Sequence, residues 1–339
     1  MSRAAERVRV GIAGYGAMGK RRRAAIDADD RLELIAVADP NVETVEPPVR
    51  RHATLDGLFE ERLDALFVCV PTYLAASTTE RALAVGLHVF CEKPPARSVA
   101  ELERVQTIEA ASPGRVLAYG FNHRQHGSVR RALDHLRSGA LGRLLFIRGV
   151  YGKPVLARAS EWRAARATAG GGILLDQGIH LCDLLRVFGG EWDEVLSMRG
   201  PDTLACDVEQ NAFALLRNAN GVVASLHSSA TEVRPRFRVE LGLEDGMLVL
   251  DGILSSSGAY APEVLSVLRR RGGALNEDRE AFTIDDSWSR EVAQFSRCLM
   301  SRSAGATGKP LEVPSSGEAR ATMALLERIY GGDPRFWAG

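Results

Sequence analysis

Val8-Arg-Val-Gly-Ile-Ala-Gly14-Tyr-Gly16-Ala-Met-Gly19 is a short apolar run that breaks into Gly-x-Gly-x-x-Gly and then into a helical stretch. Each glycine has its own mechanical task. Gly14 permits a tight strand-to-helix turn, and Gly16 lets a pyrophosphate approach the backbone. Gly19 lets the helix pack close to the strand, which leaves the helix's first N–H groups aimed at the phosphates. Tyr15, Ala17 and Met18 complete the loop expected to hold the dinucleotide. A lone motif of this kind carries little weight, so its surroundings matter. Leu32–Asp39 reads as a second strand ending in a carboxylate twenty residues beyond Gly19. That is where an acid grips the adenosine ribose 2′-OH of NAD. Asp39 repels a 2′-phosphate, so NAD is expected ahead of NADP; the basic run Lys20–Arg23 and Asn41 keep NADP open.

The chain has 339 residues, enough for two domains, and 43 basic residues balance 43 acidic ones. No basic excess points to nucleic acid, and no long polybasic block points to a membrane surface. The apolar runs are strand-sized, too short to span a bilayer. The polar opening Met1–Arg7 has no signal-peptide pattern, so a cytoplasmic protein is expected. Five cysteines (Cys69, Cys91, Cys182, Cys206, Cys298) lack C-x-x-C spacing and read as small buried hydrophobes in a reducing compartment. No metal site is expected.

The first third alternates strand and helix. Val8–Ala13, Leu32–Asp39, Ala65–Val70, His88–Glu92 and Val116–Tyr119 are nearly continuous apolar runs, which suits parallel strands covered on both faces. Between them, Leu74–Val85 reads as a helix closed by Gly86, and Ser98-Val-Ala-Glu101 as a capping box. Residues 1–122 therefore predict a doubly wound α/β domain. Residues 123–339 change character. A helix over Gly127–Ser138 is followed by alternating runs at Leu144–Tyr151, Asn211–Leu216, Val222–Ser228, Phe237–Leu243 and Met247–Leu250, with hairpin-type breaks between several of them. This predicts an α+β domain with a large, mostly antiparallel sheet, one face backed by helices and the other open. Val223, Leu226, Val239 and Leu241 are expected to make the open face apolar enough to join copies into a homodimer or homotetramer. Helices over Trp288–Ser301 and Ser316–Tyr330 close the chain, free to pack back on the first domain.

The fifth strand candidate ends in Glu92-Lys93-Pro94-Pro95. Open α/β sheets bind ligands at strand C-termini, and an ammonium there can steady a substrate oxygen as it becomes alkoxide-like. Further on, Gly170-Gly-Gly precedes Asp176, His180 and Asp183, whose spacing puts them on one face of a helix. A histidine between carboxylates can serve as a general base; a satisfied core histidine and a cation site are the duller accounts.

These motifs, in this order, resemble the Gfo/Idh/MocA oxidoreductase family, named for glucose-fructose oxidoreductase, inositol dehydrogenase and a rhizopine catabolism protein. The resemblance covers nearly the whole chain, including Tyr119-Gly-Phe-Asn122-His-Arg124 and Trp162-Arg163. It implies a Rossmann domain, a second domain built on a large open sheet that is usually an oligomer interface, and hydride exchange with a sugar, cyclitol or sugar nucleotide. It further implies that Lys93 is the catalytic lysine, His180 the acid/base and Asp176 a substrate-orienting or relay group. Asn122, Arg124, Trp162 and Arg163 would line the substrate site. One departure stands out. The family often carries Pro-x-x-x-His beside the nicotinamide, whereas Pro71-Thr72-Tyr-Leu-Ala75 ends in alanine.

The expected mechanism lays the dinucleotide across Gly14–Gly19 with its ribose on Asp39. The nicotinamide reaches a crevice edged by Pro71, Thr72, Glu92 and Lys93. The substrate hydroxyl lies between Lys93 and His180, which takes its proton. Redox-neutral sugar chemistry through a 3-keto intermediate on tightly held NAD is the alternative within enzymes. A non-catalytic dinucleotide sensor and a metal-dependent hydrolase lie outside that class.

Overall fold

The computed structural model describes residues 7–154, 162–203, 206–255, 257–271, 274–303 and 313–336; the polar opening, residues 1–6, lies outside them. The chain divides into two compact units, Met1–Phe121 with Trp288–Arg320, and Asn122–Ser287 with Ala321–Gly339.

The first unit is laid down as β1 (Val8–Ala13), α1 (Ala17–Asp27), β2 (Leu32–Ala38), β3 (Arg50–His52), α2 (Leu55–Phe59), β4 (Ala65–Val68), α3 (Thr72–Ala84), β5 (His88–Glu92), α4 (Val99–Ala110) and β6 (Leu117–Gly120). Its six strands pair in parallel in the order β3-β2-β1-β4-β5-β6. The order reverses at β1, and crevices outside the strand C-termini at such a reversal take ligands. Ser98 caps α4 by accepting from the Glu101 N–H, but Glu101 returns its carboxylate to the Arg97 N–H, so the reciprocal arm reaches one residue further back. Edge strand β3, Arg-Arg-His, has no apolar residue and gave no strand signal. The core gathers Val10, Ile12 and Val37 around Phe67 and Phe90. Phe295, from a helix beyond residue 286, meets both rings edge-on at 5.5 Å.

The second unit carries α5 (Gly127–Ser138), β7 (Leu144–Gly152), α6 (Arg166–Ala169), a π-helical turn at Leu174–Gly178, α7 (Ile179–Gly189), β8 (Glu194–Arg199), β9 (Asn211–Arg217), β10 (Val223–Ser229), β11 (Arg236–Leu243), β12 (Gly246–Asp251), β13 (Glu263–Arg271) and β14 (Ala274–Phe282). The strands form one sheet in the order β14-β13-β12-β11-β7-β10-β9-β8, with β7 and β10 parallel and the other neighbours antiparallel. Helices α5 and α7 cover one face. Two further helices, α8 (Ser287–Ser303) and α9 (Ser316–Gly331), follow.

Three strands of this sheet, β8, β13 and β14, have no counterpart in the sequence reading. The apolar face also needs correcting. Leu226, Val239 and Leu241 are buried at 2%, 0% and 0% exposure, because their register turns them toward the helices. Of the four residues expected on the open face, Val223 is the one found there. The exposed apolar residues are instead Leu196 and Met198 of β8 with Phe213 and Leu215 of β9. Strand side chains alternate, so a parity error moves a whole set to the other face.

Candidate active site

Gly14 has a left-handed φ of 85°, and a Cβ there would stand 2.6 Å from the Cys69 carbonyl oxygen. At Gly19 a Cβ would stand 2.2 Å from the Gly14 carbonyl oxygen, so helix and turn touch backbone to backbone. Gly16 caps α1, and a Cβ there would meet nothing within 4 Å. The loop is therefore tight against the protein at its two ends and open in the middle, and the first turn of α1 carries no acid to repel an anion. Tyr15 is buried; Ala17 is exposed and Met18 half-buried along the start of the helix.

Asp39, half-buried just past the end of β2, accepts from the N–H of Tyr15 and the N–H of Asn41, both at 2.8 Å. The first bond ties the acid directly to the glycine loop. These residues fit a dinucleotide: an open cradle of N–H groups for its phosphates and an oriented carboxylate for its ribose. Of the nearby basic run, Arg22 and Arg23 are engaged inside the unit. Arg23 donates to the Tyr15 hydroxyl at 3.0 Å and pairs with Asp27 and Glu46.

Arg22 is the residue that the sequence reading missed. It is fully buried between the rings of Phe90 and Trp288 and donates to Glu92 at 2.5 Å and Glu291 at 2.6 Å. Burial works against its charge, but Glu92 and Glu291 more than offset that and hold the guanidinium protonated above its ordinary value. Glu92, expected near the cofactor, is thus an anchor in the interior, and it fixes the strand end that carries half-buried Lys93. Pro71 precedes α3, and Thr72, its first residue, is buried.

In the second unit the Asp176–Asp183 stretch is not the continuous α-helix its spacing predicts. Leu174–Gly178 is a π-helical turn, whose i→i+5 bonding removes the simple i, i+4 face. Asp176 keeps 40% exposure, with Arg163 at 3.9 Å, and the Arg163 guanidinium lies 4.2 Å from the Trp162 ring centre. These three expected substrate residues do come together. Asp183 serves the interior: Arg124 donates to both its oxygens at 2.7 Å, and Thr322 adds a hydrogen bond at 3.2 Å. Buried Asn122 donates to Ser287 at 3.1 Å.

His180 is buried and stacks on His123, ring centres 3.7 Å apart and planes within 16°. Tyr151 and Tyr260 lie edge-on to each other at 5.3 Å, and Gln177 donates to the Tyr260 hydroxyl at 2.9 Å. Burial raises both phenols above their ordinary range; Tyr260 and then Asp176 add to it at Tyr151, and Asp176 adds to it at Tyr260, which reaches about 12 despite the Gln177 bond, so both stay protonated. The sequence reading gave no role to His123, which lies inside the Tyr119–Arg124 motif, nor to Tyr151 or Tyr260, which lie far from it along the chain.

An open phosphate loop with a ribose acid, on a parallel sheet that reverses at β1, defines a dinucleotide-binding protein. The chain belongs to the Gfo/Idh/MocA family: residues 8–121 match its oxidoreductase domain with an NAD-binding Rossmann fold, and residues 129–249 its C-terminal domain. It is 29% identical over 334 residues to dTDP-3,4-didehydro-2,6-dideoxy-alpha-D-glucose 3-reductase of Streptomyces violaceoruber, covering 95% of this chain and 93% of that one. To D-xylose 1-dehydrogenase (NADP(+)) 2 of Haloferax volcanii it is 27% identical over 308 residues, covering 91% and 88%. The crystal structure of the WlbA dehydrogenase from Bordetella pertussis, in complex with NADH and UDP-GlcNAcA, superposes with a TM-score of 0.79 at 21% identity over 96% of each chain, a likeness of fold. Among the described residues no helix is long and apolar enough to cross a membrane.

Proposed function

We propose that the protein oxidises or reduces one carbinol carbon of a sugar, cyclitol or sugar nucleotide, using NAD in preference to NADP. The observation that carries the reading is the open centre of the Gly14–Gly19 loop, with Asp39 tied to it through the Tyr15 N–H. Two of the four basic residues that could have met a 2′-phosphate, Arg22 and Arg23, are engaged with carboxylates, which favours NAD. When bound, the dinucleotide supplies the hydride acceptor or donor. His180 exchanges the hydroxyl proton, and the Lys93 ammonium steadies the oxygen as charge develops on it. Asp176, Trp162 and Arg163 orient the substrate. Asn122 and Arg124 act through the groups they hold.

The open sheet face with Leu196, Met198, Phe213, Leu215 and Val223 supports a homodimer or homotetramer through that face, checked by light scattering of the purified protein. Five free thiols support a reducing, cytoplasmic setting.

Titration of stripped protein with NADH and NADPH, then a screen of pyranosides and sugar nucleotides by NADH absorbance, tests the function. His180→Asn and Lys93→Met should each lower turnover about 10²–10⁴-fold while leaving NADH affinity within about threefold. No dinucleotide binding, or wild-type turnover in His180→Asn, would overturn the reading. NAD that stays bound through purification would point to the redox-neutral route.

A further inference from the structure

We propose that His123 is a positioning residue for His180: a ring held neutral by a one-way hydrogen-bond chain, forming the platform that orients the His180 imidazole and favours its protonated form. The inference rests on the acid/base role given to His180 above.

The chain begins at a carboxylate, which accepts only. Ser287 Oγ donates to Asp285 at 2.6 Å, so it must receive the Asn122 side-chain N–H at 3.1 Å. That orients the amide, leaving Asn122 Oδ1 toward His123 Nδ1 at 3.3 Å. An amide oxygen only accepts, so His123 Nδ1 carries the proton and its Nε2 is the acceptor. Facing Nε2 at 3.3 Å is the Tyr151 hydroxyl, which donates to it in this tautomer. Burial, followed by the nearby Tyr260 and Asp176, keeps that phenol protonated. With a proton added to His123 Nε2, the phenol oxygen could accept it only by turning its own buried O–H away from this ring, so a second proton on His123 costs a buried hydrogen bond.

A neutral aromatic face stacked at 3.7 Å can carry a cation on its surface, whereas two stacked imidazolium rings would repel. The pair thus has room for one added proton, and the hydrogen-bond chain directs it to His180. Asp183 is paired with Arg124, and Glu263 with His126 at 2.9 Å. The His126 ring meets His123 edge-on at 5.4 Å. Asp176, on the turn just before His180, remains partly exposed and adds to the preference for a cation.

Two variants separate ring from hydrogen bonds. His123→Gln keeps an N–H for Asn122 and an acceptor for Tyr151 but removes the platform; His123→Phe keeps the platform without the hydrogen bonds. Isotope-labelled histidine NMR follows His180 through its titration, alongside the pH profile of turnover. His123→Gln should lower the His180 midpoint by about half a pH unit and move the corresponding limb of the profile with it. His123→Phe should restore most of that shift. An unmoved His180 midpoint in His123→Gln overturns the proposal. In wild-type protein the same spectra should show His123 neutral and protonated on Nδ1 while His180 titrates; the opposite tautomer overturns it without any variant. Wild-type turnover in His180→Asn would remove the catalytic reading, and the titrations would still decide whether His123 governs His180.

Discussion

Two glycine-rich segments, one in each unit, use the missing Cβ in opposite ways. Around Gly14–Gly19 the backbone is pressed against itself at both ends and left open at Gly16. Around Gly170–Gly172 the space is already filled. A Cβ on Gly171 would stand 2.2 Å from the Tyr330 hydroxyl, and one on Gly172 would stand 2.0 Å from the Glu209 carbonyl oxygen. Glu209, fully buried, accepts from the N–H groups of Gly172 and Leu174 at 2.8 and 3.0 Å and from Tyr330 at 2.9 Å. The first segment gives the Tyr15 N–H to Asp39 and leaves the open centre beyond it to an anion from solution; the second gives its N–H groups to a carboxyl of the chain's own. Glycine content alone does not separate the two cases, but what a Cβ would strike does.

Alanine at each position is the strongest way to break that comparison. Gly172→Ala forces a methyl into backbone and should cost about 3 kcal/mol or more of stability, read by urea unfolding. Gly16→Ala meets open space and should change stability by less than about 0.5 kcal/mol. It should nevertheless weaken NADH binding about tenfold or more, since the methyl stands where a phosphate approaches. A stable Gly172→Ala, or a Gly16→Ala that binds NADH normally, would show that the segments do not differ in this way.

Glu209→Gln sharpens the same contrast. The amide nitrogen must face the N–H of Gly172 or that of Leu174, so about 1–3 kcal/mol of stability should be lost. Burial pushes the Glu209 carboxyl up, and its three hydrogen bonds only partly offset this, so its folded value lies above the ordinary one. A raised carboxyl contributes stability while it is protonated and loses it as pH rises from about 4.3 through the folded value. The gap between wild type and Glu209→Gln should therefore narrow as pH rises through that window, in unfolding measured at several pH values.

How far the sequence speaks follows from which signals are local. β1, α1, β2 and β5 were legible because apolar runs, glycines and a terminal acid lie within a few tens of residues of each other. Ser98 and Gly139 marked a helix start and a helix end by cap chemistry alone. β14 was not legible: Ala-Leu-Asn-Glu-Asp-Arg-Glu-Ala-Phe is exposed almost throughout and has no apolar period. β8 was not legible either: it is six residues long, and its Leu196 and Met198 face outward rather than into a core. At the site, Lys93, Asp176 and His180 stood out by residue type and motif. The groups that hold their surroundings did not, because Arg22 reaches Glu291 across 269 residues and Arg124 reaches Asp183 across 59. Such pairs leave no trace in spacing.

The smallest expected effect concerns which anion the first segment accepts. Asp39 is held by the N–H groups of Tyr15 and Asn41, so its charge stays at the loop edge whether or not a ribose is present. A 2′-phosphate would meet that charge, while a 2′-hydroxyl can donate to it. Asp39→Ala removes both the attraction and the repulsion. The ratio of kcat/KM for NAD over NADP should fall about tenfold, a loss of ~1.4 kcal/mol of discrimination. If the ratio holds while both cofactors weaken equally, Asp39 only braces the loop through Tyr15, and the preference must come from the carboxylates that occupy Arg22 and Arg23. Glu46→Gln, which frees one arm of Arg23, would then move the ratio toward NADP where Asp39→Ala had not.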